Sequence, residues 1–276
     1  MIKCLVTDLD GTLFDGHGQT VFDLTRRNVD GLKKAKHHGL TIAVASGRII
    51  GYAQKVMEIQ PFDPYLICGF NGAIMKYNDE PFTYVDMDRD TFKSLVAMVK
   101  TSAGVDAIQL QTLDSMRVFE DTDSALANKY KKEVKSIGIG KVCDVTIQQW
   151  FDHYPSSRIG KLSIYMHDLG STNQLMHDLT IQFPNLNVTK SNQLLIEVMR
   201  KKANKGTFID FIMDHTGWTK DEIATIGDNH NDLAMSQKVT TSFGIETGDQ
   251  HFLDQITYPV QDVAQAIDII IDMNQH

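Results

Sequence analysis

Two aspartates stand two residues apart where an apolar run ends. Residues 2–7 lead directly into Asp8-Leu9-Asp10-Gly11-Thr12-Leu13. Carboxylates at i and i+2, where a strand runs out, can point into one crevice, and Gly11 allows a sharp turn beside them. Ligands of open parallel sheets bind outside the carboxyl ends of strands, so the placement carries as much information as the residue types. Paired acids alone fit a polar loop with a capping aspartate about as well. The full six-residue string disfavours that simpler explanation.

A second acidic group, Gly227-Asp228-Asn229-His230-Asn231-Asp232, follows a short apolar run at 223–226. Two more carboxylates at a second strand end suggest a hard-cation site, because Mg²⁺ prefers an octahedral shell of oxygen ligands. Alone, the stretch could be a helix start dressed with Asn and Asp caps. That explanation weakens once both acid clusters must share one sheet edge. Ser46-Gly47-Arg48 ends a third apolar run, 40–45, and offers a hydroxyl, backbone N–H groups and a guanidinium where a phosphate could sit. Lys205-Gly206 opens a helical pattern at 208–215. Ser-Gly-Arg by itself is a common turn, and a lone lysine is usually a solvated charge; both gain meaning only from the acids.

These groups need a scaffold that brings strand ends together. Residues 2–7, 40–45 and 65–68 read as strands, with Val29, Leu32 and Ala35 at helical spacing between the first two and Gly39 as a helix stop. Residues 223–226 and 239–243 read as further strands. This alternation predicts a mostly parallel sheet covered on both faces. The middle is different. Phe92, Leu95, Val96 and Val99 mark an amphipathic helix, and 107–111 and 116–120 flank the turn-prone Leu113-Asp114-Ser115. A strand at 161–167, a helix around Leu175 and Leu179, and a strand at 186–189 repeat the theme. The expected architecture is α/β: a Rossmann-like parallel-sheet core from 1–80 and 190–276, with an α+β domain inserted at 81–189.

A chain of 276 residues with 42% apolar content can bury a full core. Its formal net charge of −8 argues against a general nucleic-acid or anionic-membrane surface. Cys4, Cys68 and Cys143 show no CxxC spacing and read as reduced, buried thiols. The apolar start is too short for a signal-peptide core and no run could span a bilayer, so a cytoplasmic protein is expected. His230 is not expected to be a ligand in an oxygen-rich site, and Trp150-Phe151 is expected to be interior packing of the inserted domain.

The four pieces together resemble the four motifs of the haloacid dehalogenase-like superfamily, in the order and spacing of its Cof-like phosphatases. Asn71-Gly72-Ala73, after the third strand, is similar to a further Cof-like element lining the cleft. The large gap between Ser46 and Lys205, against room for one helix between Asp10 and Ser46, matches the members with an inserted α/β cap. The resemblance implies that Asp8 attacks phosphorus, that Asp10 protonates the leaving alkoxide and later deprotonates water, and that Ser46, Lys205, Asn231, Gly47 and Arg48 hold phosphate. Asn71 and Gly72 would meet substrate. Mg²⁺ would be held by Asp8, the Asp10 carbonyl and Asp228, with Asp232 directly or through water. Asp10 would be kept neutral by a neighbouring carboxylate and a restricted cleft. The implied partner is a small phosphorylated metabolite, a sugar phosphate first, with a cap choosing the leaving group. A phosphomutase, or a regulatory protein with a dormant site, stays open as an alternative. One departure stands out: Phe243-Gly244-Ile245-Glu246-Thr247-Gly248-Asp249 replaces the Met-Gly-Asn-Ala-like turn usual in Cof-like proteins.

Overall fold

The opening apolar run is buried at every position from Cys4 to Thr7, which a strand achieves only inside a sheet covered on both faces. The computed structural model describes residues 1–14, 24–120 and 125–275. They divide into two compact units, residues 1–84 with 204–276, and residues 85–203. The first unit opens with β1 (Cys4–Thr7), α1 (Arg26–His37), β2 (Thr41–Ala45), α2 (Ile50–Ile59), β3 (Leu66–Gly69), β4 (Ile74–Tyr77) and β5 (Thr83–Tyr84). The second contains α3 (Arg89–Thr101), β6 (Val105–Thr112), β7 (Met116–Glu120), α4 (Ala125–Ile137), β8 (Lys141–Cys143), α5 (Ile147–His153), β9 (Ile159–Met166), α6 (Leu169–Gln182), β10 (Leu186–Asn192) and β11 (Leu195–Arg200). The first unit is completed by α7 (Lys205–Thr216), β12 (Ile223–Gly227), α8 (Leu233–Ser236), β13 (Thr241–Ile245), α9 (Gln250–Leu253), β14 (Tyr258–Val260) and α10 (Val263–Gln275).

The first unit carries an eight-stranded sheet in the order β14-β13-β12-β1-β2-β3-β4-β5. From β14 to β3 every pair is parallel; β4 and β5 add antiparallel edges. The chain steps outward from β1 to β2 and β3, then re-enters on the other side of β1 at β12. β1 therefore flanks the topological switch point, where open α/β sheets place ligands. α1 starts at Thr25, whose side chain accepts from the Asn28 N–H, and buries Leu32 and Ala35 as their spacing predicts. Residues 15–23, part of the short stretch between Asp10 and Ser46, lie outside the described residues.

The second unit has a six-stranded sheet, β10-β11-β9-β6-β7-β8, antiparallel except between β7 and β8. One face, with Ile108, Leu110, Leu162, Ile164 and Val198, packs against Phe92, Trp150 and Leu179. Trp150 is fully buried, so Trp150-Phe151 is interior as expected. The alternate residues of β6 and β9 make a buried polar face: Gln111 donates to Gln109 at 2.9 Å and to Ser163 at 3.1 Å, and Lys161 pairs with Glu197 at 2.5 Å. The expected boundary at 189/190 is corrected. It would cut through β10, whose hydrogen-bonded partner β11 carries the unit on to Ala203. Strand pairing, invisible to local periodicity, sets that edge.

Among the described residues no helix is long and apolar enough to cross a membrane. The two tryptophans fall one in each unit, Trp150 and Trp218. In a Trp218→Phe background, Trp150 fluorescence should report urea unfolding of the second unit alone. Phe92→Ala, which empties a fully buried site, should lower that unit's unfolding free energy by about 3–5 kcal/mol.

Candidate active site

Asp8 is the first residue past β1, and its N–H donates to the Ile226 carbonyl of β12 at 3.0 Å. Thr7 pairs with Val44 and Ile226, so Asp8, Ser46 and Asp228 leave three neighbouring strands at the same end of the sheet. Gly11 brings the first and fourth motifs together. Its φ is +78°, and a Cβ there would stand 2.5 Å from the Asp228 carboxylate. Only glycine allows both that backbone conformation and that approach. Thr12 then donates to Asp228 Oδ1 at 3.2 Å.

Lys205 is the first residue of α7, after Asn204, whose side chain caps the helix by accepting from Thr207. A cation at a helix N-terminus opposes the helix dipole, and this one is also fully buried. Two carboxylates offset both costs: Lys205 Nζ donates to Asp8 Oδ1 at 2.6 Å and to Asp232 Oδ1 at 2.5 Å. Burial alone would lower the ammonium's pKa, but Asp232 and Asp8 outweigh it and hold the value above normal. Asp232 is itself held in place, its Oδ2 accepting from the N–H groups of Asp228 and Asn229 at 3.0 and 3.1 Å.

Carboxylate oxygens of Asp8, Asp228 and Asp232 lie within 4.8 Å of one another. Three acids thus share one ammonium. Burial, with Asp232 and Asp228 nearby, pushes the Asp8 carboxyl up to about 8 against the pull of Lys205. Burial and Asp232 likewise raise Asp228. The donor set fits a hard divalent cation. Mg²⁺ characteristically takes one or two carboxylates and keeps several waters. Asp8 and Asp228 can supply those two, while both oxygens of Asp232 already accept N–H groups. Asp232 accepts from Lys205 and from the turn after β12.

Asp10 and Arg48 depart from expectation. Arg48 meets Asp10 in a two-pronged contact, Nε to Oδ2 at 2.6 Å and Nη2 to Oδ1 at 2.5 Å. Asp10 faces a guanidinium, not a carboxylate, and its side chain is 47% exposed, not enclosed. Arg48 is long enough to reach it across from the end of β2. Burial works against the Arg48 charge, but Asp10 and the Tyr52 phenol raise its pKa on balance.

The other expected residues divide. Ser46 is buried at the end of β2, and its hydroxyl accepts from the Arg48 N–H at 3.0 Å. Asn71 donates its N–H to the Ser46 carbonyl at 2.9 Å, and its side chain lies over Gly47, so these three form one loop cluster. Gly72 is corrected: it is buried, with φ +97°, and a Cβ would stand 2.4 Å from the Asn204 carbonyl. It allows close packing behind Lys205 and presents no surface to a ligand. Asn231 is exposed in the turn after β12, and the acceptors that orient Lys205 are Asp8 and Asp232. The unusual 243–249 turn still backs the site, with the Asp249 N–H donating to the Asp228 carbonyl at 2.8 Å. Sequence reading passed over Asn28, which donates to the Leu13 carbonyl at 3.0 Å and accepts from the Ala264 N–H at 3.2 Å, tying the Asp10 loop to α10. A polar residue on the inward stripe of α1 was its one signal.

A parallel sheet whose switch point gathers Asp8, Lys205, Asp228 and Asp232 defines a class of hydrolase. Residues 5–266 match the family profile described as haloacid dehalogenase-like hydrolase, and the chain belongs to that family. A Mycoplasma pneumoniae protein named "Putative phosphatase" is 26% identical over 268 residues, covering 89% of this chain and 87% of its own. The Bacillus subtilis 5-amino-6-(5-phospho-D-ribitylamino)uracil phosphatase YcsE is 21% identical over 240 residues, covering 85% and 80%. A solved haloacid dehalogenase-like hydrolase from Bacteroides thetaiotaomicron superposes with TM-score 0.80 at 20% identity, over 98% of this chain and 100% of that one.

The raised Asp8 pKa sets a pH dependence. The folded chain keeps a proton on Asp8 that the unfolded chain loses near 4, so this group's contribution to stability falls as pH rises from about 4 to about 8. In chelator, Asp8→Asn should therefore gain thermal stability relative to the wild type as pH goes from 5 to 8. Mg²⁺ should narrow that gap, as read by melting curves.

Proposed function

We propose that the chain is a Mg²⁺-dependent phosphatase that hydrolyses small phosphorylated metabolites through an aspartyl-phosphate on Asp8. The observation that carries the reading is the buried Lys205 ammonium, held between Asp8 and Asp232 beside Asp228. A cation so placed at a helix N-terminus makes an anion-binding corner out of elements that already favour phosphate.

Phosphate monoesters demand charge neutralisation and alignment more than unusual chemistry. In the first step an Asp8 oxygen forms a bond to phosphorus while the ester P–O bond breaks and its electron pair leaves with the oxygen. Asp10 gives that oxygen a proton. In the second step Asp10 takes a proton from water, whose oxygen displaces Asp8 from phosphorus. Lys205 and Ser46 donate to phosphate oxygens, and Asp232 keeps Lys205 aimed. Asp8, Asp228 and the Asp10 carbonyl would hold Mg²⁺, which would supply the charge that keeps Asp8 and Asp228 ionised together and neutralises the phosphate.

A sugar or sugar-alcohol phosphate is the favoured substrate. The family resemblance supports it, as does the name of the YcsE relative, whose phosphate sits on a ribityl chain. Phosphate release should be followed across phosphorylated sugars, nucleotides and cofactors, with Mg²⁺ and with chelator. Release should vanish in chelator and fall to background in Asp8→Asn. Asp10→Asn should slow alkyl esters by about 10²–10⁴-fold. Activity that survives in Asp8→Asn would refute the mechanism, and transfer of phosphate to a second sugar instead of water would identify a mutase.

A further inference from the structure

Arg48 is anchored at several points, and Asp10 is only one of them. Its N–H donates to the Ser46 hydroxyl at 3.0 Å, and its carbonyl accepts from Phe70 at 2.8 Å, which fixes the main chain at the end of β2. Further out, the guanidinium carbon lies 4.6 Å from the centre of the Tyr52 ring. Tyr52 is in the first turn of α2, 3% exposed, with its N–H donating to the Ile49 carbonyl at 3.1 Å. The ring is fixed before the arginine meets it.

That order matters for Asp10. An arginine side chain loses much rotamer freedom when it is held in one place. An ion pair with a partner 47% exposed, as here, ordinarily contributes little because water competes for both ends. A fixed aromatic face removes part of the arginine's freedom in advance and favours the guanidinium electrostatically. It also orients the planar fork, which must lie in the carboxylate plane to make two hydrogen bonds.

We propose that Tyr52 is a positioning residue: by fixing the Arg48 guanidinium it holds the Asp10 carboxyl where proton transfer to the leaving oxygen occurs. The inference rests on the phosphatase reading and changes the job of Arg48 within it, from phosphate ligand to support for Asp10. As the ester P–O bond breaks, the proton on Asp10 passes to the departing oxygen, and both Asp10 oxygens become free to accept. Arg48 meets both of those oxygens with its two prongs. While Asp10 carries the proton, one of its oxygens is a donor, so Arg48 keeps only the other. A guanidinium stacked on Tyr52 can lose one prong without swinging away.

Two esters separate this role from simple packing. Glycerol 2-phosphate releases a strongly basic alkoxide that needs a proton; p-nitrophenyl phosphate releases a weakly basic phenolate that does not. The full chain with Mg²⁺ should be compared as wild type, Tyr52→Leu, Tyr52→Phe and Arg48→Lys, measuring kcat and KM for both esters and the inhibition constant of inorganic phosphate. In Tyr52→Leu and Arg48→Lys the ratio of alkyl to aryl kcat/KM, which reports the step that releases the alcohol, should fall about ten-fold or more, with phosphate inhibition within about two-fold. Tyr52→Phe, which keeps the ring, should restore most of the ratio. Arg48 is partly exposed, so its lysine variant keeps the test valid should Tyr52→Leu fold poorly. Equal losses of kcat/KM on both esters would reduce Tyr52 to packing, and weaker phosphate inhibition in Arg48→Lys would return Arg48 to the phosphate; either overturns the inference. A wild-type chain that releases phosphate from neither ester overturns the phosphatase reading first, and the inference with it.

Discussion

A fully buried ammonium between two carboxylates organises the first unit of this protein. Lys205 reaches Asp8 and Asp232 from the start of α7, where the helix dipole and the lack of water both oppose a positive charge. Removing one partner from such a buried contact typically costs about 3–5 kcal/mol, because the other charge is left uncompensated. The elements carrying these residues are thereby bound to one geometry. α7 must start where β1 and β12 end, and the turn after β12 must fold back so that Asp232 faces inward. The N–H groups of Asp228 and Asn229 hold it there.

The same arrangement leaves the site short of positive charge. Asp228 is pressed against the Asp8 loop by Gly11, where no side chain fits, so two carboxylates are held together while only one ammonium serves the cluster. Burial then drives Asp8 toward its protonated form. A positive charge brought beside the cluster would oppose that drift. A stable scaffold thus carries an acidic cluster with unbalanced charge at its centre.

Asp10 stands outside that economy of charge. It is exposed, and its orientation depends on Arg48, not on burial. The Cof-like resemblance supplied Asp10 with a role, but the means of holding it comes from residues 38 or more positions away. The polar face of the second unit presents a comparable case. Gln109, Gln111 and Ser163 lie on alternate positions of β6 and β9, and their hydrogen bonds explain why strands that read as apolar carry buried amides.

Sequence by itself determined the strands, because burial on both faces leaves continuous apolar runs such as 4–7, 41–45 and 223–226, and it determined which carboxylates stand at their ends. It also disclosed the inserted unit, since hairpin spacing differs from strand–helix alternation. It missed β4, β5, β8, β11 and β14, and with β11 the end of that unit, because membership in a sheet depends on partners distant in the chain. Tertiary structure alone decided which side chains meet. Lys205 and Asp8 are 197 residues apart, and Arg48 and Asp10 are 38 apart. Periodicity reports whether a residue is buried. The partner of a long, flexible charged side chain is set by the three-dimensional placement of everything within its reach.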